Sequence, residues 1–317
     1  MTATLNSITG QFPFWRDAQM PAPLPTSDKT RVVVGCGTSY NLALSVAAAL
    51  TAAGHRAIGV PAGEWFDRPE AYMPADAPVE VIALSRSGTT TETVRAAEAS
   101  RARGVHVIGI SCAPNSELEA ASDTACVFDT HPEEGIVMTA SASLMLLAGF
   151  ALAGLSVDGA LADRAEAALA ALEASDTSEF HARNHVVFLG GGAHYGVALE
   201  GALKLMEMSI CATQGFHPGE YRHGPVSLID DGSAVVMLYH SETAAAEAEL
   251  VKELQDKGAF VLGLGGPGDI TIPLASDGDL AGAEALPALQ LLGERHAVAR
   301  GLDSTAPRHL TKVVVLS

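Results

Sequence analysis

Residues 32–112 recur as residues 186–266 at an offset of 154 to 156, and this internal copy constrains the fold more than any other feature. Val32-Val33-Val34-Gly35-Cys36-Gly37 meets Val187-Phe188-Leu189-Gly190-Gly191-Gly192. Tyr40, Ala43 and Leu44 meet Tyr195, Ala198 and Leu199, and Gly63-Glu64 meets Gly219-Glu220. Leu84 and Ser87 meet Leu238 and Ser241; Gly104, Val107 and Gly109 meet Gly258, Val261 and Gly263. Glycines and strands stay in phase throughout, with a drift that short loop insertions produce. A pattern written twice predicts two like units.

Each copy reads strand, Gly-rich turn, helix, short strand, strand, polar turn, helix, strand. The helix after the first turn is predicted over about 40–53, and its twin over about 195–209. Strands alternating with such helices imply an α/β fold, with parallel strands and helices on both faces. Ligands of such sheets bind outside the carboxyl ends of the strands. Residues 1–30 hold four of the sixteen prolines and little periodicity, which predicts an N-terminal arm. The domains are expected over 31–155 and 181–317. A connecting helix over 156–180 is centred on the strong helix former Leu161–Ala174.

Apolar residues make up 48% of the chain and aromatic residues only 5%, so the core must be built from Ala, Val, Leu and Ile. The formal charge of −18 argues against nucleic acid and anionic membranes as partners. The longest apolar run, Leu144–Leu155, is too short to span a bilayer and predicts a buried helix. No signal peptide is evident at the start. Cys36, Cys112, Cys126 and Cys211 show no CxxC spacing and lie in apolar surroundings, as reduced thiols of a cytoplasmic protein would. The eleven histidines include no HExxH, and His181 and His185 read as a loop entering a strand, so no metal is expected.

The two copies differ where chemistry would be. Ser85-Arg86-Ser87-Gly88-Thr89-Thr90-Thr91-Glu92 follows a buried-strand pattern and precedes a helical one; the second copy has Tyr239-His-Ser-Glu-Thr-Ala-Ala-Ala246. Backbone N–H groups, the helix dipole and hydroxyls together hold phosphate, and Arg86 would add a fixed positive charge. A single hydroxyl suffices to cap a helix, and this turn has more than capping requires. Gly35-Cys-Gly37-Thr38-Ser39 also opens a helix. It fails as a dinucleotide fingerprint, because Tyr40 stands where the third glycine belongs; it suits a smaller polar ligand or ordinary turn chemistry.

In the second copy Glu200, Lys204 and Glu207 share one helix face. Their spacing fits equally a functional stripe in a buried helix and a solvated i,i+4 ion pair. His217-Pro-Gly-Glu-Tyr-Arg-His223-Gly-Pro225 is a loop rigid at both ends, with titratable groups suited to acid–base work or to a polar surface turn. Lys312 precedes an apolar strand pattern, Val313–Leu316, where a gatekeeper lysine is the default reading.

With these residues assembled, the chain resembles the sugar isomerase (SIS) family, over about 32–317 the isomerase half of glucosamine-6-phosphate synthase. The stretches that carry the resemblance are Cys36–Tyr40, Ser85–Gly88, Glu134-Gly-Ile136-Val-Met-Thr139, Ala198–Lys204, Gly219–Pro225 and Pro307–Lys312. The resemblance implies two tandem SIS domains, each a parallel sheet flanked by helices in a flavodoxin-like three-layer sandwich. It also implies a homodimer and a small-molecule sugar-phosphate ligand, with no cofactor. Carried over residue by residue, Ser85, Ser87 and Thr90 hold the phosphate, with Thr38, Ser39, Arg86 and Ile136 beside them. Glu207 is the base shuttling a proton between C1 and C2. His223 assists ring opening and is donated across the dimer interface. Lys312 contacts the open-chain sugar, and Glu200 and Lys204 line the site.

Three departures from the synthase stand out. No glutaminase domain is evident, since Thr2 follows the initiator Met where its cysteine nucleophile would stand; glutamine is therefore not expected as the ammonia source. Arg86 replaces the usual Gln, and Ala140 the usual Lys. These features look more like the stand-alone AgaS-like isomerases and glucosamine-6-phosphate deaminases. The expected function is thus isomerisation of a hexosamine-6-phosphate or ketohexose-6-phosphate, with or without release of ammonia. The alternative is a non-catalytic phosphosugar sensor, which would need the anchor but not Glu207, His223 and Lys312 together.

Overall fold

A computed structural model describes residues 2–314. The chain divides into two compact units. One comprises Pro13–Asp158 together with the chain from Thr311 on; the other comprises the chain up to Phe12 together with Gly159–Leu310.

The first unit is built on five parallel strands: β1 (Thr30–Gly35), β2 (Arg56–Pro61), β3 (Val79–Ser85), β4 (His106–Ser111) and β5 (Thr124–Val127). Their order is β2-β1-β3-β4-β5. Alternation along the strands sorts the core. Val32, Val34, Val81 and Ala83 pack with Val94, Ala97 and Leu118 of the helices on one face. Val33 and Ile82, fully buried as well, point to the other. The apolar run expected to form a buried helix does so over Ala140–Leu152, every residue of it buried.

The second unit has β6 (His185–Gly190), β7 (Thr213–Phe216), β8 (Ser233–Leu238), β9 (Phe260–Leu264) and β10 (Ile270–Ile272), in the order β7-β6-β8-β9-β10 and all parallel. Renumbered within each unit, both sheets read 2-1-3-4-5, the flavodoxin-like order. The order reverses between the first and third strands, and the crevice at their carboxyl ends is where such sheets take ligands. In the first unit those ends are Gly35 and Ser85; in the second they are Gly190 and Leu238. The repeat extends to backbone angles. Gly37 (φ 55°, ψ −124°) and Gly192 (φ 56°, ψ −131°) each precede the helix that follows the first strand of their sheet, in a conformation open only to glycine.

The arm expected over 1–30 is divided between the units. Ala3–Thr9 is helical, started by the Thr2 side chain accepting from Leu5 N–H at 3.0 Å. It packs on the long helix Leu280–Ala299 of the second unit. Thr2 Oγ1 donates to Glu294 at 2.6 Å, and Gln11 Nε2 donates to Gln290 Oε1 at 3.0 Å. Ile8 and Phe12 are buried as well, an anchoring that local periodicity over seven residues was too short to reveal. The four prolines lie beyond that helix, at 13, 21, 23 and 25. The connecting helix runs Gly159–Ala174. His181 ends a short helix and pairs with His296 (Nδ1···Nδ1 3.2 Å), whereas His185 opens β6. Val313 and Val314 form no strand, and Val315 and Leu316 lie outside the described residues. Among the described residues no helix is long and apolar enough to cross a membrane.

Candidate active site

In the first unit β3 delivers Ser85 to the crevice, and the chain turns through Gly88 into the helix Thr91–Ala102. Gly88 sits at φ 62°, and a Cβ there would come within 2.1 Å of Ser116 Oγ, so the turn is closed against the next loop. Thr90 occupies the N-cap position, yet its side chain makes no capping bond. The hydroxyls instead bond one another and the turn. Ser85 Oγ lies 3.2 Å from Thr90 Oγ1 and accepts Gly88 N–H at 3.2 Å. Ser87 Oγ accepts from Thr89 N–H at 3.2 Å and from Thr89 Oγ1 at 3.1 Å. Ser85 is buried, while Ser87, Thr89 and Thr90 are part-exposed. A partly open ring of hydroxyls at a helix N-terminus is the donor set an anionic phosphate calls for. At the neighbouring strand end Thr38 and Ser39, both buried, open the helix Thr38–Ala52.

Arg86 is held by backbone carbonyls. Its guanidinium donates to the carbonyls of Gly135 (3.0 Å), Ile136 (3.1 Å) and Lys312 (2.7 Å). It thus ties the 135–136 loop to the C-terminal segment while keeping its charge beside the turn. Lys312 Nζ returns a bond to Glu134 O at 3.0 Å. Glu134, buried, is the hub of that loop: it accepts from Thr139 N–H, from Ser141 N–H and Oγ, and from Thr130 Oγ1. Arg86, Ser87, Cys112, Thr130, His131 and Lys312 line part of a pocket of about 340 Å³. Burial pushes the thiols of Cys36, Cys112, Cys126 and Cys211 all upward, which disfavours their thiolate forms.

Replacing Arg86 by Ala is expected to cost about 2–3 kcal/mol in urea unfolding and to speed proteolysis near Lys312, since three part-buried carbonyls lose a charged donor. Arg86→Lys should recover only part, because a point ammonium cannot serve a fork of three acceptors. An unchanged unfolding midpoint in Arg86→Ala would remove the bracket role.

In the second unit Glu200, Lys204 and Glu207 lie along the helix Ala193–Ser209. Lys204 Nζ is 2.6 Å from Glu207 Oε2 and 3.4 Å from Glu200 Oε1. The side chains of Glu200 and Lys204 are wholly buried, and that of Glu207 is 20% exposed. The stripe is therefore a buried charge triad with one accessible carboxylate, and the solvated-pair alternative drops out. Burial alone would lower the Lys204 pKa; the two carboxylates outweigh it and hold the ammonium above its ordinary range. The helix ends at Ile210, in the left-handed region at φ 55°, one turn from Glu207. His223 is exposed, just past the one-turn helix Pro218–Tyr221. His217 of the same loop stacks on Tyr195 at 3.9 Å, and burial lowers its pKa.

Thus Ser85, Ser87, Thr90, Arg86, Ile136 and Lys312 share the first unit with Thr38 and Ser39, and Glu200, Lys204, Glu207 and His223 belong to the second. Glu134 had no role assigned from sequence. An acidic residue followed by Thr139 and Ser141 ahead of an apolar run was the available signal.

Comparison with known proteins identifies the family. The SIS domain profile matches residues 26–153 and 179–278, and the chain belongs to the SIS domain family. The glutamine–fructose-6-phosphate aminotransferase (isomerizing) of Pyrobaculum aerophilum is 30% identical over 90% of this chain and 51% of its own length. The chain spans about half the length of the curated relatives it matches. The crystal structure of a glucosamine-6-phosphate deaminase from Thermotoga maritima is 34% identical, covers 99% of this chain and 100% of its own, and superposes with a TM-score of 0.84. A tagatose-6-phosphate ketose/aldose isomerase from Escherichia coli is 26% identical over 91% of this chain and 86% of its own, at a TM-score of 0.77.

Proposed function

We propose that this chain is a sugar-phosphate aldose/ketose isomerase that acts as an amino-sugar-phosphate deaminase on a hexosamine-6-phosphate. One observation carries the reading: the hydroxyls of the 85–90 turn, at the carboxyl end of β3, bond one another, and Thr90 at the N-cap makes no side-chain capping bond. Identity of 34% over the full length of the Thermotoga deaminase favours deamination over simple isomerisation. In the proposed reaction the phosphate is held by Ser85, Ser87 and Thr90, with Thr38, Ser39 and Ile136 at the rim. Glu207 moves the proton from C2 to C1 of the open amino sugar, leaving an imine at C2. Water adds to the imine carbon and ammonia departs, giving the ketose phosphate. Lys312 contacts the open-chain sugar at its carbonyl end, and Glu200 and Lys204 keep Glu207 oriented. Every step is a proton transfer or an addition of water, within reach of side chains alone.

The active form is proposed to be a homodimer in which His223 of one subunit assists ring opening in the other. Its exposure, and that of Leu228 (55%) on the same segment, supports a contact there. A cytoplasmic location fits the four unpaired thiols.

Incubation with glucosamine-6-phosphate, galactosamine-6-phosphate and fructose-6-phosphate, following ammonia and ketose, tests the reading. Turnover of one amino sugar with equal yields of ammonia and ketose is expected. Binding without turnover across the panel would instead make the chain a phosphosugar sensor. In the active protein, Ser85→Ala with Ser87→Ala should raise KM about 100-fold, from about 3 kcal/mol of lost hydrogen bonding to a charged group.

A further inference from the structure

The second unit keeps the form of the first unit's crevice but fills it. Gly192 repeats the backbone of Gly37, and the turn after β8 repeats the position of the turn after β3. Among the differences between the copies are two coordinated exchanges. In the first unit the Gly-rich turn carries Cys36, whose Sγ lies 3.7 Å from Thr93 Oγ1. In the second, the equivalent positions hold Gly191 and Glu247. One side chain is withdrawn from the turn and a longer, acidic one enters from the helix. A Cβ on Gly191 would stand 4.0 Å from Glu247 Oε1, so the carboxylate reaches the Gly-rich turn.

At its other edge the carboxylate meets the polar turn. Glu247 Oε2 accepts the backbone N–H of His240 at 2.9 Å, and Oε1 accepts Thr243 Oγ1 at 2.7 Å. His240 and Thr243 are the counterparts of Arg86 and Thr89. Glu247 is 3% exposed. A backbone amide and a hydroxyl at a helix N-terminus, converging on a buried negative charge, repeat the donor set of a phosphate site with the anion supplied by the chain.

We infer that Glu247 is a tethered anion that occupies the second unit's phosphate cradle from within, so that the chain takes a phosphoryl group in the first unit only. This rests on the proposed reading of the Ser85–Thr90 turn. The specialisation of the copies follows. The first crevice stays open to a phosphate, and the second is closed by its own carboxylate, leaving that unit to supply acid–base groups.

Glu247→Thr restores the residue of the first copy and empties the cradle. Equilibrium dialysis of the full chain against radiolabelled inorganic phosphate should give about one equivalent for the wild type and about two for Glu247→Thr, with a larger phosphate-induced rise in melting temperature. Adding Ser85→Ala and Ser87→Ala to Glu247→Thr should return the count to about one, now in the second unit. A folded Glu247→Thr chain that binds no more phosphate than wild type overturns the inference. If the variant folds only in phosphate buffer the inference stands; if it folds in neither phosphate nor chloride it fails. Failure of the underlying reading looks different: wild-type binding would then be absent, or indifferent to Ser85→Ala with Ser87→Ala.

Discussion

Glu207→Gln is expected to lower kcat by about 10²–10⁴-fold with little change in KM, the range lost when a positioned general base is removed. Glu207 is suited to the role by its two sides. One oxygen receives the Lys204 ammonium at 2.6 Å, which fixes the carboxylate, while 20% of the side chain stays accessible. The amide keeps size and shape but cannot take a proton from carbon. The proposed phosphate anchor lies on other residues, so substrate affinity should persist. Glu207→Asp, shorter by one methylene, should fall between the two. Near-wild-type turnover by Glu207→Gln would refute the base assignment. The same variant tests the dimer. Mixed with His223→Ala subunits it should regain activity in verified heterodimers, because one composite site then holds both intact groups. No recovery would place His223 in its own subunit's chemistry or outside it.

Lys204→Met should destabilise the protein by about 3–5 kcal/mol, the cost of leaving a buried charge without its partner. Glu200 is wholly buried and would lose the ammonium 3.4 Å away. Pairing the change with Glu200→Gln should restore much of the loss, because the stranded charge goes too. Urea unfolding of the two single variants and the double variant checks this; a cost below about 1 kcal/mol for Lys204→Met would show that the triad is not desolvated as described. The pH dependence has a definite sign. The Lys204 pKa is raised above its ordinary 10.5 on folding, so its contribution is whole below that value and is lost as pH rises through the folded one. The triad therefore weakens the protein in alkali.

The repeat made most of the fold legible. Glycines and apolar strands in phase specify two sheets of one order, and the helix predicted over about 195–209 was found at Ala193–Ser209. The turn at Ser85–Thr90 was legible because its hydroxyls exceed what a cap needs. Spacing alone left the Glu200–Lys204–Glu207 stripe undecided, since a helix face carries no record of what covers it; burial decided it. The anchoring of Arg86 and the placement of Glu134 and Glu247 were not legible, for a common reason. Their partners lie far along the chain or in backbone carbonyls and amides, which residue identity does not display. The strained cap at Ile210 was equally silent, because a β-branched residue there argues against the conformation it adopts.

The division of the chain among the units bears on how it is made. The unit that begins at Pro13 includes Lys312, which Arg86 and Glu134 hold in place. On a ribosome adding about 5–20 residues per second, Lys312 emerges roughly 8–30 s after Asp158. Through that interval Arg86 and the carbonyl of Glu134 await a segment not yet synthesised. The helix Ala3–Thr9 waits still longer, made first and docking on Leu280–Ala299 near the end. Nascent chains arrested short of residue 312 would thus carry the hydroxyl turn without the lysine that completes its unit, and phosphate affinity would be acquired before turnover.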